Sequence, residues 1–170
     1  MGTFNESNFI QEFREFVDKL DVKSVLEIGC QTDELRNALS ESIQTLGIDT
    51  DILDYKLKKK YDLVFSSGYL QHFEENETIE IIKKMATLSK QYVLNYVPNS
   101  DCLAYKNNKV NTDADWKDEK DFNADELIEL HKKAGLEILQ SGVVAKEWAK
   151  RFGSEKSDGY LVYILAKKLD

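Results

Sequence analysis

Four short apolar runs set the frame: Ser24-Val25-Leu26-Glu27-Ile28, Leu46-Gly47-Ile48-Asp49, Tyr61-Asp62-Leu63-Val64-Phe65-Ser66 and Gln91 to Val97. Each is continuously apolar rather than alternating, which marks strands covered on both faces, as in a parallel sheet. Between them the period changes to that of a helix. Phe9, Ile10, Phe13, Phe16, Val17 and Leu20 recur every three or four residues and predict a helix over about 7–20, within an N-terminal helical segment 1–20. Further helices are expected over about 33–42, 75–89 and 123–134, the last with Asn123 as N-cap and Gly135 as stop. Leu136 to Gln140 and Gly159 to Lys167 read as two final strands around a short helix carrying Val144, Trp148, Ala149 and Phe152. Strands alternating with helices give an α/β class and a doubly wound, mostly parallel sheet, formed by one domain over 1–170. Residues 99–123 have little periodicity and read as a long loop with at most a turn of helix, the candidate lid over a substrate.

The chain has 170 residues, with 23 Lys+Arg against 31 Asp+Glu and a net charge of −8, while 42% hydrophobic residues suffice for a core. That charge disfavours a nucleic-acid backbone as partner, because the one dense basic run is Lys56, Lys58, Lys59 and Lys60. Two cysteines, Cys30 and Cys102, and two histidines, His72 and His131, make neither a disulfide framework nor a metal site. His131, beside Lys132 and Lys133, is expected on a solvated helix face. No stretch of 18 apolar residues occurs and the first residues lack a basic n-region, so the expectation is a cytoplasmic protein without membrane contact.

In a doubly wound sheet, ligands bind beyond the carboxyl ends of the strands. Those ends are residues 29–33, 49–52, 66–73 and 97–100. Gly29 leaves the first strand where a missing Cβ lets a ligand approach the main chain, and a helix follows. Asp49 ends the second strand about twenty residues later, where an acid accepts hydrogen bonds from ribose hydroxyls. Glu27, an acid inside a strand, either faces that ligand or binds the amides of its own loop.

These segments resemble the class I S-adenosylmethionine-dependent methyltransferases, with VLEIGC, GIDTD (47–51), YDLVFSSGYLQHF (61–73), YVLNYVPNS (92–100) and FNADELIELHKKAGLEIL (122–139) in the family's order. The resemblance implies S-adenosylmethionine as cofactor, with S-adenosylhomocysteine as product. It assigns the cofactor to Glu27, Gly29, Cys30, Gln31, Asp49, Thr50, Asp51, Ser66, Ser67 and Gly68. Glu27 and the backbone of Gly29 and Cys30 would line its methionine part, Asp49 its ribose, and Ser66 to Gly68 would close over the methionyl end.

Two departures from the family follow. Gln31 and Asp33 stand where the family has flexible glycines; Asp33 tolerates the left-handed region, whereas at Gln31 a positive φ, if the position needs one, costs about 1 kcal/mol. Only twelve residues separate Asp49 from Asp62, so the family's third, edge strand and its helix are expected to be missing. The adenine-binding acid after that strand then has no counterpart, and Asp51, Ile52 or Leu53 is left to cover the adenine.

His72 is either the base that takes a proton from the acceptor or a helix-entry hydrogen bond. Tyr69, Gln71, His72, Tyr105 and Trp116 are the candidate acceptor pocket, or packing residues. Ser66-Ser67-Gly68-Tyr69 stands where nucleic-acid amine methyltransferases carry Asn-Pro-Pro-Tyr, which favours a small-molecule acceptor. The expected function is methyl transfer to a small molecule by a monomer or weak homodimer, with a catalytically degenerate binding module as the alternative.

Overall fold

The computed structural model describes residues 6–30, 32–56, 59–111, 118–151 and 158–169. Six strands form one sheet: β1 (Ser24–Ile28), β2 (Gln44–Ile48), β3 (Tyr61–Ser67), β4 (Ser89–Pro98), β5 (Leu136–Val144) and β6 (Leu161–Lys168), in the order β2-β1-β3-β4-β6-β5. β2, β1, β3 and β4 run parallel, whereas β6 is antiparallel to both of its neighbours. Among the described residues between β2 and β3 there is no strand, so the sheet ends at β2 and lacks the edge strand, as the short spacing predicts.

Helices cover both faces. α3 (Glu75–Leu88) and α5 (Ala124–Lys133) put Ile81, Ile82, Met85, Leu127 and Leu130 against Leu26, Ile28, Val64, Val93 and Ile164. On the other face α1 (Glu6–Asp18) packs Phe9, Phe13 and Val17 on Val25, Leu63, Phe65, Leu94 and Tyr163. Rings make much of that contact: Phe13 meets Phe65 with centroids 4.7 Å apart, and Phe9 meets Tyr96 edge-on at 5.1 Å. The carboxyl ends of β1 and β3 therefore open beside the start of α1.

Two expected elements differ. The helix predicted over 33–42 shrinks to the four residues of α2 (Glu34–Asn37). Beyond it the Ser40 hydroxyl bonds that of Ser42 and accepts from the Ser42 amide, the local competition by which serine disfavours helix. Conversely, the long loop holds an eight-residue helix, α4 (Leu103–Val110), whose Ala104 and Tyr105 are buried beside Ala149 of α6 (Lys146–Arg151). The start of α5 follows expectation and adds a reciprocal bond. Asn123 Oδ1 accepts from the Glu126 amide while Glu126 Oε2 accepts from the Asn123 amide.

Candidate functional site at the carboxyl ends of β1, β2 and β3

β1 is buried along its whole length, so Glu27 is carried into the sheet with only 6% of its surface exposed. A buried carboxylate needs a partner. Arg36 of α2 supplies it, with Nε donating to Glu27 Oε2 at 2.8 Å and Nη2 reaching Asp33. Room for the guanidinium exists because Gly47 stands opposite Glu27 in the β1–β2 register. A Cβ on Gly47 would lie 2.5 Å from Arg36 Cζ and 2.7 Å from Cys30 Sγ. Burial pushes the Glu27 carboxyl above its ordinary pKa, and the Arg36 hydrogen bond opposes that rise. Arg36 is the site residue that the sequence reading missed; the signal available was its place three residues after Asp33, one helical turn from the strand exit.

Gly29 leaves β1 with φ +70, a conformation that suits glycine. Its amide and that of Cys30 both donate to the Ile48 carbonyl, at 2.8 and 3.3 Å, which ties the exit of β1 to the end of β2. Burial pushes the Cys30 thiol up, so it stays protonated at neutral pH. Asp49 and Thr50 stand exposed just past β2. The Asp51 carboxylate accepts from the Leu53 amide at 2.9 Å and so holds its own turn.

A cavity of about 340 Å³ opens at these strand ends. It is lined by Glu27, Gly29, Ser67 and Gly68 from the strand exits and by Phe9, Thr32, Glu34, Leu35 and Trp148 from the surrounding elements. Of the assigned cofactor residues it gathers Glu27, Gly29, Ser67 and Gly68. Ser66 lies on the opposite face of the sheet. It is fully buried, its Oγ donates to Asn95 Oδ1 at 2.6 Å, and Asn95 Nδ2 meets His131 Nε2 at 2.8 Å. His131 is thus fully buried, which corrects the expected solvated face. Leu127, Leu130, His131 and Ala134 recur at three- and four-residue spacing, the signal of a core-facing stripe.

The residues assigned to an acceptor pocket are dispersed. Gln71 and His72 line a separate cavity, where His72 Nδ1 lies 3.2 Å from Glu119 Oε1. Tyr105 is buried with its hydroxyl donating to Asp121 at 2.8 Å. Tyr69 lies against Gly29. Gln31 and Trp116 are outside the described residues. Among the described residues, no helix is long and apolar enough to cross a membrane.

No family model matches the chain, and no curated protein matches its sequence. Solved structures do match its shape. A methyltransferase dependent on S-adenosylmethionine from Archaeoglobus fulgidus superposes with a TM-score of 0.71 at 15% identity, over 94% of this chain and 93% of that one. One from Clostridium acetobutylicum gives 0.67 at 12% identity, over 95% and 92%. Magnesium protoporphyrin IX methyltransferase from Synechocystis, solved with S-adenosylhomocysteine, gives 0.63 at 15%, over 95% and 84%. With the strand order, the reversed β6 and helices on both faces, these superpositions show that the chain has the class I S-adenosylmethionine-dependent methyltransferase fold.

Proposed function

We propose that the chain binds S-adenosylmethionine and transfers its methyl group to a small-molecule acceptor. One observation carries this reading: Glu27 and Asp49 stand at the carboxyl ends of adjacent parallel strands, and a cavity of about 340 Å³ opens on Glu27 and Gly29 at the first of them. The donor set fits the group at its methionyl end. Carboxylates and main-chain carbonyls suit an ammonium, and Gly29 lines the cavity with bare main chain, the direction of its missing Cβ being filled by Tyr69. S-adenosylmethionine supplies, when bound, an electrophilic methyl on a sulfonium. Asp49 would hold the ribose hydroxyls, while Glu27, fixed by Arg36, would face the methionyl end.

Phe9, Leu35 and Trp148 give the cavity apolar surface against which an acceptor would be positioned. His72 keeps its place as a candidate base, oriented by Glu119, although its ring belongs to the neighbouring cavity. A cytoplasmic setting and a monomeric or weakly dimeric state accompany this reading.

Calorimetric titration with S-adenosylmethionine and S-adenosylhomocysteine tests it. Asp49→Ala is expected to weaken binding tenfold or more, about 1.4 kcal/mol. No binding at millimolar concentration to folded protein would overturn the reading in favour of a binding or partner module, which the absent edge strand also favours.

A further inference from the structure

We propose that the ring of Tyr69 occupies the nucleoside end of the cofactor site, so that this side chain must swing out before the cofactor seats and is the residue that sets its affinity. The inference rests on the cofactor reading above.

Three observations place the ring there. Gly29 turns its bare Cα toward Tyr69: a Cβ at that position would lie 2.7 Å from Tyr69 Cγ and 2.8 Å from Cε2. The approach that glycine leaves open at the strand exit is therefore already taken by a side chain of the same molecule. At its other end the ring packs against the buried cluster that includes Ile52 of the turn after β2, and burial, followed by the Asp51 carboxylate, pushes its hydroxyl up from its ordinary pKa. Phe73 closes the third side, edge-on with centroids 4.8 Å apart.

The ring thus spans from the exit of β1 to the residues just past β2, the interval in which an acid at the end of β2 would meet a ribose. The cavity agrees with this. Its lining includes Glu27, Gly29, Ser67 and Gly68 at the methionyl end, but none of Asp49, Asp51 and Ile52.

The turn that carries the ring is fixed independently of it. Tyr69 is only partly buried, and it follows Gly68, whose φ of +68 sets the turn and whose amide is anchored on the Tyr96 carbonyl at 3.0 Å. Rotation about χ1 would take the ring off Gly29 while the turn stays in place. A ligand that requires the swung-out form has its affinity reduced by the fraction of molecules in that form.

The test is calorimetric titration of wild type, Tyr69→Ala and Tyr69→Leu with S-adenosylhomocysteine and with adenosine, each variant first checked for a cooperative thermal transition. Tyr69→Leu removes the reach to Ile52 while keeping apolar bulk, and serves should the alanine variant fail to fold. The expected result is binding at least tenfold tighter in the variants, for adenosine as well as for the full product. Equal or weaker binding in the variants, with wild type binding, would overturn the role of Tyr69 and leave the cofactor reading standing. No binding by wild type or variants at millimolar ligand would overturn both.

Discussion

Glu27 and Arg36 form a pair in which each side chain is mostly shielded from water, at 8% and 14% exposure. Removing one partner from such a pair leaves an uncompensated charge, typically at a cost of about 3–5 kcal/mol, whereas replacing both is far milder. Arg36→Met is therefore expected to destabilise by about 3 kcal/mol, and adding Glu27→Gln to restore most of the loss, as measured by urea unfolding in a double-mutant cycle. Gly47→Ala should act in the same direction, because its Cβ would lie 2.6 Å from Arg36 Nη2. Legibility at this scale follows backbone constraint. Gly29 and Asp49 are readable because a strand exit and the spacing to the next strand end fix them. Arg36 is not, because a long side chain reaches its partner through a turn whose course only the folded chain defines. Ser66 fails for a simpler reason: adjacent residues in a strand face opposite sides, and the SS pair at 66–67 gives no sign of which one turns toward the ligand.

The helix α5 carries the one histidine that the core absorbs. His131 Nδ1 donates to the Leu127 carbonyl at 2.7 Å and Nε2 accepts from Asn95, so the neutral ring satisfies both neighbours and holds α5 to β4. Burial lowers its pKa from 6.5 to about 4, against the hydrogen bond to Leu127, which raises it. Because the unfolded ring takes its proton first, the stabilisation is complete above pH 6.5 and lost as pH falls from 6.5 toward 4. At 1.36 kcal/mol per pKa unit this amounts to about 3 kcal/mol. Urea unfolding at pH 7 and pH 4.5 should show His131→Gln losing less stability between the two than wild type does, by about 2–3 kcal/mol. Among elements, the strands and α5 are the most legible, since continuous apolar runs and a capped stripe leave few alternatives. α4 is hidden in the sequence because LAYKNNKV buries only Ala104 and Tyr105 and contains two asparagines of low helix propensity. Tertiary contacts hold it, among them the bond from Tyr105 to Asp121 and one from Asn108 to the Tyr160 hydroxyl.

Over the whole molecule, protection from solvent falls off from the centre of the sheet toward both edges. β3 is buried at six of its seven positions, while β5 has four exposed residues and β2 has two exposed residues, two half-buried ones and, among the described residues, no strand on its outer side. Amide hydrogen exchange should accordingly rank β3 and β4 slowest and the two outermost strands, β2 and β5, fastest, and uniform protection across the sheet would contradict this reading of the shortened β2 edge. A lysine guards that edge, since Lys59 Nζ donates to Gln44 Oε1 at 2.8 Å. The position of β6 between β4 and β5 has a consequence for synthesis. Both neighbours leave the ribosome before the strand that joins them exists, so a growing chain carries two unfinished sheet margins until residues 161–168 emerge. Closure of this half of the sheet therefore waits for the last of the six strands to be made, with its pairing partners held open until then.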